Sequence, residues 1–282
     1  SQLEQQLQFL CELGKMEVKV ATVLENASKK RIARHGLDYF AIFDFLPSQH
    51  FSPTLMGFAN VAQAIAKLHL TSEKLYGIYG RSIKTMGLQN QLYYNKVKIY
   101  DPRDLLEIKE LVKKNKNQTI ADKLYQKEMP KLLEAARAIS LLKNQIKKLP
   151  IGIIHSDLHP HNILMSNGKV QAIIDFDAMR VSQYARDVAF AIYRLGRQFF
   201  IKKNHALGPR DLPLIFLTHY EKIRPLRPEE KKLLPYLIKD ELLTKIIHVF
   251  RLVYFEKKHF WDRIITNLVL AIDEVDYFWP TR

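Results

Sequence analysis

The segment 153–165, IIHSDLHPHNILM, sets three histidines, an aspartate and an asparagine between two short apolar runs, and IIDFDA follows at 173–178. Runs this apolar are expected to be buried strands, so the polar residues at their ends require partners, a metal or a substrate. Asp157, Asn162 and Asp175 are the right residue types for one task. The amide and carboxylate oxygens of Asn162 and Asp175 suit Mg²⁺, a hard cation that combines a few protein oxygens with nucleotide phosphates. Asp157 supplies a further carboxylate that can orient an acceptor hydroxyl and take its proton. A metal clamp and a base are the parts of phosphoryl transfer, a reaction in which the protein positions and neutralises and does little covalent chemistry. Zinc fits less well. His159 and His161 flank Pro160 at i, i+2, without the helical i, i+4 spacing of a zinc protease, and no further ligand accompanies them. His-x-Asp is common, and His155 by itself reads equally as a core histidine. The full pattern, His155-x-Asp157-x4-Asn162 followed by Asp175 and Asp177, is far more specific than its parts.

Three strands must hold these residues: Gly152–His155, Asn162–Met165 and Val170–Asp175, with SNGK at 166–169 as the hairpin turn between the last two. Upstream, Leu3, Leu7, Leu10 and Leu13 recur at helical spacing, so residues 1–13 read as an amphipathic helix that Gly14 stops. Residues 16–24 alternate around Val18 and Val20, and 38–45 are rich in aromatics; two strands joined by a basic turn containing Gly36 are expected. Pro47 cannot lie in a central strand, which puts a hinge at 46–52. From Pro53 the pattern turns helical, with Leu55, Phe58, Val61, Ala62, Ile65 and Leu68 on one face up to His69. A turn-rich stretch with Gly77, Gly80 and Gly87 follows over 71–103. Helices are then expected at 104–114 and 118–148, the second open to interruption at Pro130, and again at 183–200, 211–222, 228–254 and 259–278. No internal repeat or low-complexity segment is present.

The 282 residues, 47% hydrophobic and 26% charged, suffice for two domains or one large two-lobed unit and exclude an intrinsically disordered chain. A single cysteine, Cys11, cannot close an internal disulfide, which suits a cytoplasmic protein. No stretch of 18 apolar residues exists to span a membrane, and the opening residues lack the basic region and cleavage site of a signal peptide. Lysine and arginine exceed aspartate and glutamate by 44 − 29 = 15. Such a balance favours anionic partners, nucleotide phosphates among them. The basic residues are scattered, however, in groups such as Lys113, Lys114 and Lys116, or Lys231 and Lys232. With no block of five and no nucleic-acid motif, they read as solvated helical faces, and neither nucleic acid nor membrane is expected as a partner. Phe260, Trp261, Tyr277, Phe278 and Trp279 fit either core packing of the last helix or an interface.

HSDLHPHNIL at 155–164 together with IDFD at 174–177 resembles the aminoglycoside phosphotransferase and choline kinase superfamily, which has the protein-kinase-like fold. YARDVAF at 184–190 is similar to the aspartate-bearing helix that follows in those enzymes. The resemblance implies an α+β, bilobal chain: a partial, β-containing N-lobe over 1–48 and a large helical C-lobe over 49–282, with the catalytic loop at 153–165 and the metal-binding strand end at 170–178. It implies Asp157 as catalytic base and Asn162 and Asp175 as Mg²⁺ ligands, with Asp177 as a second metal contact. His155 and Asp187 would brace the loop, and His159 would stand where protein kinases carry a catalytic-loop cation near the nucleotide. ATP and Mg²⁺ are the implied cofactors. The chain opens on what resembles the helix bearing the acidic partner of the ATP-binding lysine, which makes Glu4 the candidate acid. The Gly-rich loop and strand lysine that precede that helix in such folds are not in the sequence. Within the superfamily, LPIGIIH at 149–155, AIAKLH at 64–69 and the stretch 220–230 with Leu234 and Pro235 are similar to type II homoserine kinase. IDFDAM at 174–179 stands closer to the general phosphotransferase form. Homoserine is therefore the favoured acceptor, ahead of choline, a sugar or thiosugar, or an aminoglycoside. A kinase-like binding module without turnover is the alternative of a different class, and a basic RNA- or membrane-associated protein is a third.

Overall fold

The computed structural model of the chain describes residues 2–79, 102–201, 207–256 and 262–279. In chain order it begins with helix α1 (Gln2–Lys15), strands β1 (Ala33–His35), β2 (Asp38–Phe40) and β3 (Gln49–His50), and helix α2 (Leu55–Tyr79). Helices α3 (Pro102–Lys114), α4 (Ile120–Leu141) and the single turn α5 (Lys143–Ile146) come next. Four short strands follow: β4 (Ile151–Ile154), β5 (Ile163–Ser166), β6 (Lys169–Ile173) and β7 (Arg180–Gln183). Helices α6 (Tyr184–Ile201), α7 (Asp211–Tyr220), α8 (Pro228–Tyr254) and α9 (Asp262–Phe278) end the series. The chain is thus α+β. It divides into two compact units, Ser1–Lys96 with Pro150–Leu226 and Val97–Leu149 with Arg227–Arg282.

The first unit holds every strand. Two antiparallel ladders form its polar centre: β3-β5-β6, and β4 with β7 in the register Ile151↔Gln183 to Ile154↔Arg180. Asn167 and Gly168, both at positive φ, close the β5–β6 hairpin as the SNGK turn requires. Helix α2 packs on α7, β4 and β6 and is apolar on the faces it buries. Its Phe58 is fully buried and meets Phe199 and Phe216 edge-on, with ring centroids 5.5 and 5.2 Å away. Burying such a ring stabilises by about 1.5–3 kcal/mol, which fixes α2 against α6 and α7. The second unit is helical. There α4 packs on α3, α8 and α9, and Thr119 caps α4 in a reciprocal box with Asp122, whose carboxylate also accepts the Tyr254 O–H at 2.6 Å.

Several elements depart from the sequence pattern. The helix expected to end near His69 runs on to Tyr79, so Gly77 is a helical residue and not a turn. Leu75 is 4% exposed and Ser72 donates to the Ile153 carbonyl at 2.6 Å, so tertiary partners carry α2 past the point where its apolar stripe fades. The remainder of the turn-rich stretch, with Gly80 and Gly87, lies outside the described residues, as do Phe260 and Trp261. Pro130 sits inside α4 without ending it; the break comes at Leu142. Of the strands read at 16–24 and 38–45, only 38–40 enters a regular ladder, and its partner β1 lies in the stretch read as the basic turn, where Gly36 takes φ +61°. Residues 22–24 pair instead with 42–44, Leu24 N–H donating to the Ile42 carbonyl and Asp44 N–H to that of Thr22, while Val20 bridges to Ile173 on the other side. The expected hinge at 46–52 contains β3, whose Gln49 and His50 pair with Met165 and Leu164. β7 was not foreseen, because RVSQ carries no apolar alternation.

Gly152 lies where a Cβ would overlap the Tyr184 hydroxyl, and Tyr184 is fully buried at the start of α6. Neither neighbour can retreat, because β4 is locked to β7 and the Tyr184 ring lies beneath the Arg224 guanidinium at 4.3 Å. Gly152→Ala is expected to destabilise the fold by about 1–3 kcal/mol through overpacking, read as a lower denaturant midpoint with unchanged slope.

Candidate active site

The site begins where β4 gives out. His155 follows it directly, and Ser156 adopts φ +70°, a left-handed conformation unusual for a residue with a side chain. That twist costs about 1–3 kcal/mol and persists only where surrounding contacts impose it. Here they are visible: the His155 N–H donates to Asp187 Oδ2 at 2.7 Å and the Ser156 N–H to Asp187 Oδ1 at 2.8 Å. Asp187 comes from the first turn of α6, is 1% exposed, and carries its negative charge where the helix dipole favours it. Both of its oxygens hold the turn that presents Asp157.

His155 holds the same loop from the other side. Its fully buried ring rests on Phe176, centroids 4.5 Å apart. The Asp157 N–H donates to Nδ1 at 3.2 Å, so Nδ1 carries no proton, and Nε2–H must be the donor to the Ile174 carbonyl at 2.9 Å. Burial pushes the His155 pKa below its ordinary value, in keeping with this neutral form. The Asn162 side chain donates to the Asp157 carbonyl at 2.9 Å, and the Ile174 N–H donates to the Asn162 carbonyl at 3.0 Å. Ile174 therefore receives His155 at its oxygen and engages Asn162 with its nitrogen. The next residue, Asp175, takes φ +64° and ψ +67°, a second left-handed turn at the end of β6. The loop bearing Asp157 and Asn162 is thus joined through one residue, Ile174, to the strand end bearing Asp175.

Asp175 and Asp177 are exposed and line a cleft of about 600 Å³. Its walls are Leu3, Gln6, Leu7 and Leu10 of α1, Ala21, the segment Phe43–Leu46, Ser48–His50, and Leu164, Ile173 and Ile174 of the sheet. Its lining is largely apolar and includes three carboxylates, those of Asp44, Asp175 and Asp177. The donors fit Mg²⁺: Asn162 uses its N–H on the Asp157 carbonyl and keeps its amide oxygen, and Asp175 and Asp177 offer carboxylates, all hard oxygens. Among the described residues no three His, Cys, Asp or Glu side chains converge as a metal-holding group.

Two residues expected near the nucleotide stand differently. Glu4 pairs with Arg31, Nη1 to Oε1 at 3.6 Å, and Arg31 also holds Glu25 at 3.2 Å; the α1 residues on the cleft wall are its neighbours Leu3, Gln6 and Leu7. His159 turns back to the loop, its Nδ1 accepting the His161 N–H at 3.2 Å and its Nε2 lying 3.4 Å from Asp157 Oδ2. Sequence reasoning passed over His69, a fully buried residue that also touches Asp187. The available signal was a histidine at the end of an apolar helical face, which demands a polar partner wherever it is buried.

A sequence model of the APH family, described as the phosphotransferase enzyme family, matches residues 2–226. The homoserine kinase of Neisseria meningitidis serogroup B is 36% identical over 98 residues, 34% of this chain and 30% of that enzyme. The chain spans about a third of the length of the curated relatives it matches. Among solved structures, an aminoglycoside phosphotransferase of Alicyclobacillus acidocaldarius superposes with a TM-score of 0.59 at 17% identity, over 94% of this chain and 82% of that one. The amicoumacin kinase hAmiN, solved with AMP-PNP, Ca²⁺ and its antibiotic, superposes with a TM-score of 0.61 at 12% identity, over 98% of this chain and 78% of that one. These two likenesses carry the protein-kinase-like fold, and the match over residues 2–226 shows that the chain belongs to the APH phosphotransferase enzyme family.

Proposed function

We propose that this chain transfers the γ-phosphate of ATP to the hydroxyl of a small metabolite, with homoserine as the favoured acceptor, and that it works in the cytoplasm. The observation that carries the reading is the junction at Ile174, which ties the Asp157 and Asn162 loop to the strand end bearing Asp175. In this arrangement Asp157 accepts the proton of the acceptor hydroxyl as its oxygen bonds to the γ-phosphorus, the bond from that phosphorus to the β,γ-bridging oxygen breaks, and ADP departs. His159 Nε2 lies 3.4 Å from Asp157 Oδ2 and would steady that carboxylate. The nucleotide occupies this cleft, its ring against apolar lining residues such as Leu164, Phe43 and Phe45 and its phosphates toward Asp175 and Asp177. Asn162, Asp175 and Asp177 would hold Mg²⁺, which when bound neutralises charge on the phosphate oxygens.

Homoserine carries both charges and asks little of a chain with a net charge of +15. A polycationic aminoglycoside calls for an acidic pocket, which such a balance disfavours. Similarity to homoserine kinases over a third of the chain supports the same choice. Among the described residues no helix is long and apolar enough to cross a membrane.

The reading is tested by ADP release with ATP·Mg²⁺ and a panel of homoserine, choline, methylthioribose and an aminoglycoside. Homoserine is expected to raise turnover well above the water-driven background; a rate no faster than background removes it as the acceptor. Asp157→Asn is expected to lower kcat by about 10²–10⁴-fold, the usual contribution of a positioned base, and undiminished turnover would remove Asp157 from that role. In titration calorimetry Asp175→Ala is expected to lose Mg²⁺-dependent nucleotide affinity; equal affinity with and without the substitution contradicts the metal assignment. Nucleotide binding with silence across the whole panel would favour a binding module.

A further inference from the structure

Two histidines that the sequence sets far apart meet at the edge of the cleft. His50, on β3, and His161, in the turn before β5, lie with ring centroids 5.1 Å apart and planes crossing at 78°. Both side chains are exposed, and among the described residues no hydrogen bond or ion pair engages a ring nitrogen of either. Their backbones are held in place. β3 pairs His50 with Leu164, and the Phe51 N–H is shared between the Pro160 and Ile163 carbonyls at 3.3 and 3.0 Å. The spacing of the rings is that of a chelate. Two imidazoles on one tetrahedral ion, each with a metal–nitrogen bond of about 2.0–2.1 Å, set their ring centres about 5 Å apart. Rotation about χ2, a broad torsion in histidine, aims a nitrogen of each ring at one point.

We propose that His50 and His161 form a binding site for a transition ion of the zinc and nickel class, with water completing its shell. Imidazole nitrogen suits Zn²⁺, Ni²⁺ and Cu²⁺, whereas Mg²⁺ takes oxygen, so ligand chemistry separates this pair from the carboxylates of Asp175 and Asp177. The third histidine of the loop stands aside. His159 lies 5.8 Å from His161, ring to ring, but its Nδ1 accepts the His161 N–H and its Nε2 turns to Asp157. The position gives the ion a structural consequence. His50 borders the cleft, and His161 immediately precedes Asn162. An ion held by both ties the cleft wall to the loop by a link independent of the backbone pairing. The inference stands on the placement of the two rings and does not require that the chain transfer phosphate.

The test is calorimetric titration of the full chain, free of any polyhistidine tag, with Ni²⁺ and with Zn²⁺ against a background of excess Mg²⁺. A saturable site is expected in the parent chain. His50→Ala and His161→Ala are each expected to weaken it by at least about tenfold, since even the outer partners of a metal ligand are worth about 10–100-fold. No such site, or a site that either substitution leaves intact, overturns the proposal. Asp175→Ala is expected to retain it; loss in that variant would put the ion on the acidic strand end and equally overturn the pair. Cu²⁺ on the parent chain is expected to show two imidazole nitrogens in electron paramagnetic resonance. A count other than two refutes the assignment, and this readout needs no variant to fold. With Zn²⁺ bound, the Phe51 amide is expected to exchange at least about tenfold more slowly, and unchanged exchange beside intact binding refutes the tie between wall and loop. None of these readouts involves ATP or an acceptor, so their failure is distinct from failure of the phosphotransferase reading.

Discussion

An isolated carboxylate sealed from water carries a desolvation cost of several kcal/mol, and Asp187 is sealed at 1% exposure. It persists because the His155 and Ser156 amides and the His69 ring are arranged around it. The dependence runs in both directions. The left-handed Ser156 turn is unfavourable by itself and is held by the anion it surrounds. The anion in turn sits on α6 with a helix dipole behind it, so the turn inherits the rigidity of a packed helix. Remove the charge, and the loop has two unmatched donors and no reason to reverse direction before Asp157.

From that anchor the rest of the site follows as a set of backbone bonds more than side-chain contacts. His155 and Asn162 each meet Ile174, and the Asn162 amide returns to the Asp157 carbonyl. The His155, His159 and Asn162 side chains each engage the main chain. What borders the cleft is the strand end that follows, with the exposed acids at 175 and 177. Preorganisation of this kind limits the reorganisation a charged ligand must drive when it arrives.

Much of this was legible in the residues. The pattern from His155 to Asp177 marked a dense set of polar groups between apolar strands, and the family resemblance pointed to Asp187, whose carboxylate accepts the His155 and Ser156 amides. Helices α3, α6, α8 and α9 fell within about three residues of their periodic stretches. The failures have a common cause. α2 outran its apolar stripe because Ser72 and Leu75 find partners far off in sequence, and β7 pairs with β4 through backbone groups that carry no side-chain signature. His69 was visible as a member of a family stretch, yet its task depends on Tyr220 and Arg224, some 150 positions away, and no local pattern encodes that meeting. Glu4 pairs with Arg31, a partner that its position along the helix did not announce.

The short strand β3 joins the wall of the cleft to the floor of the loop. Gln49 and His50 border the cleft, and the very next amide, that of Phe51, is shared between the Pro160 and Ile163 carbonyls on either side of Asn162. A ligand that displaces residues 44–50 therefore strains the bonds that shape the turn at Asn162, and a disordered turn leaves the cleft wall without its edge partner. Occupancy of the one and order in the other are a single equilibrium, and the two ends of the site cannot loosen separately.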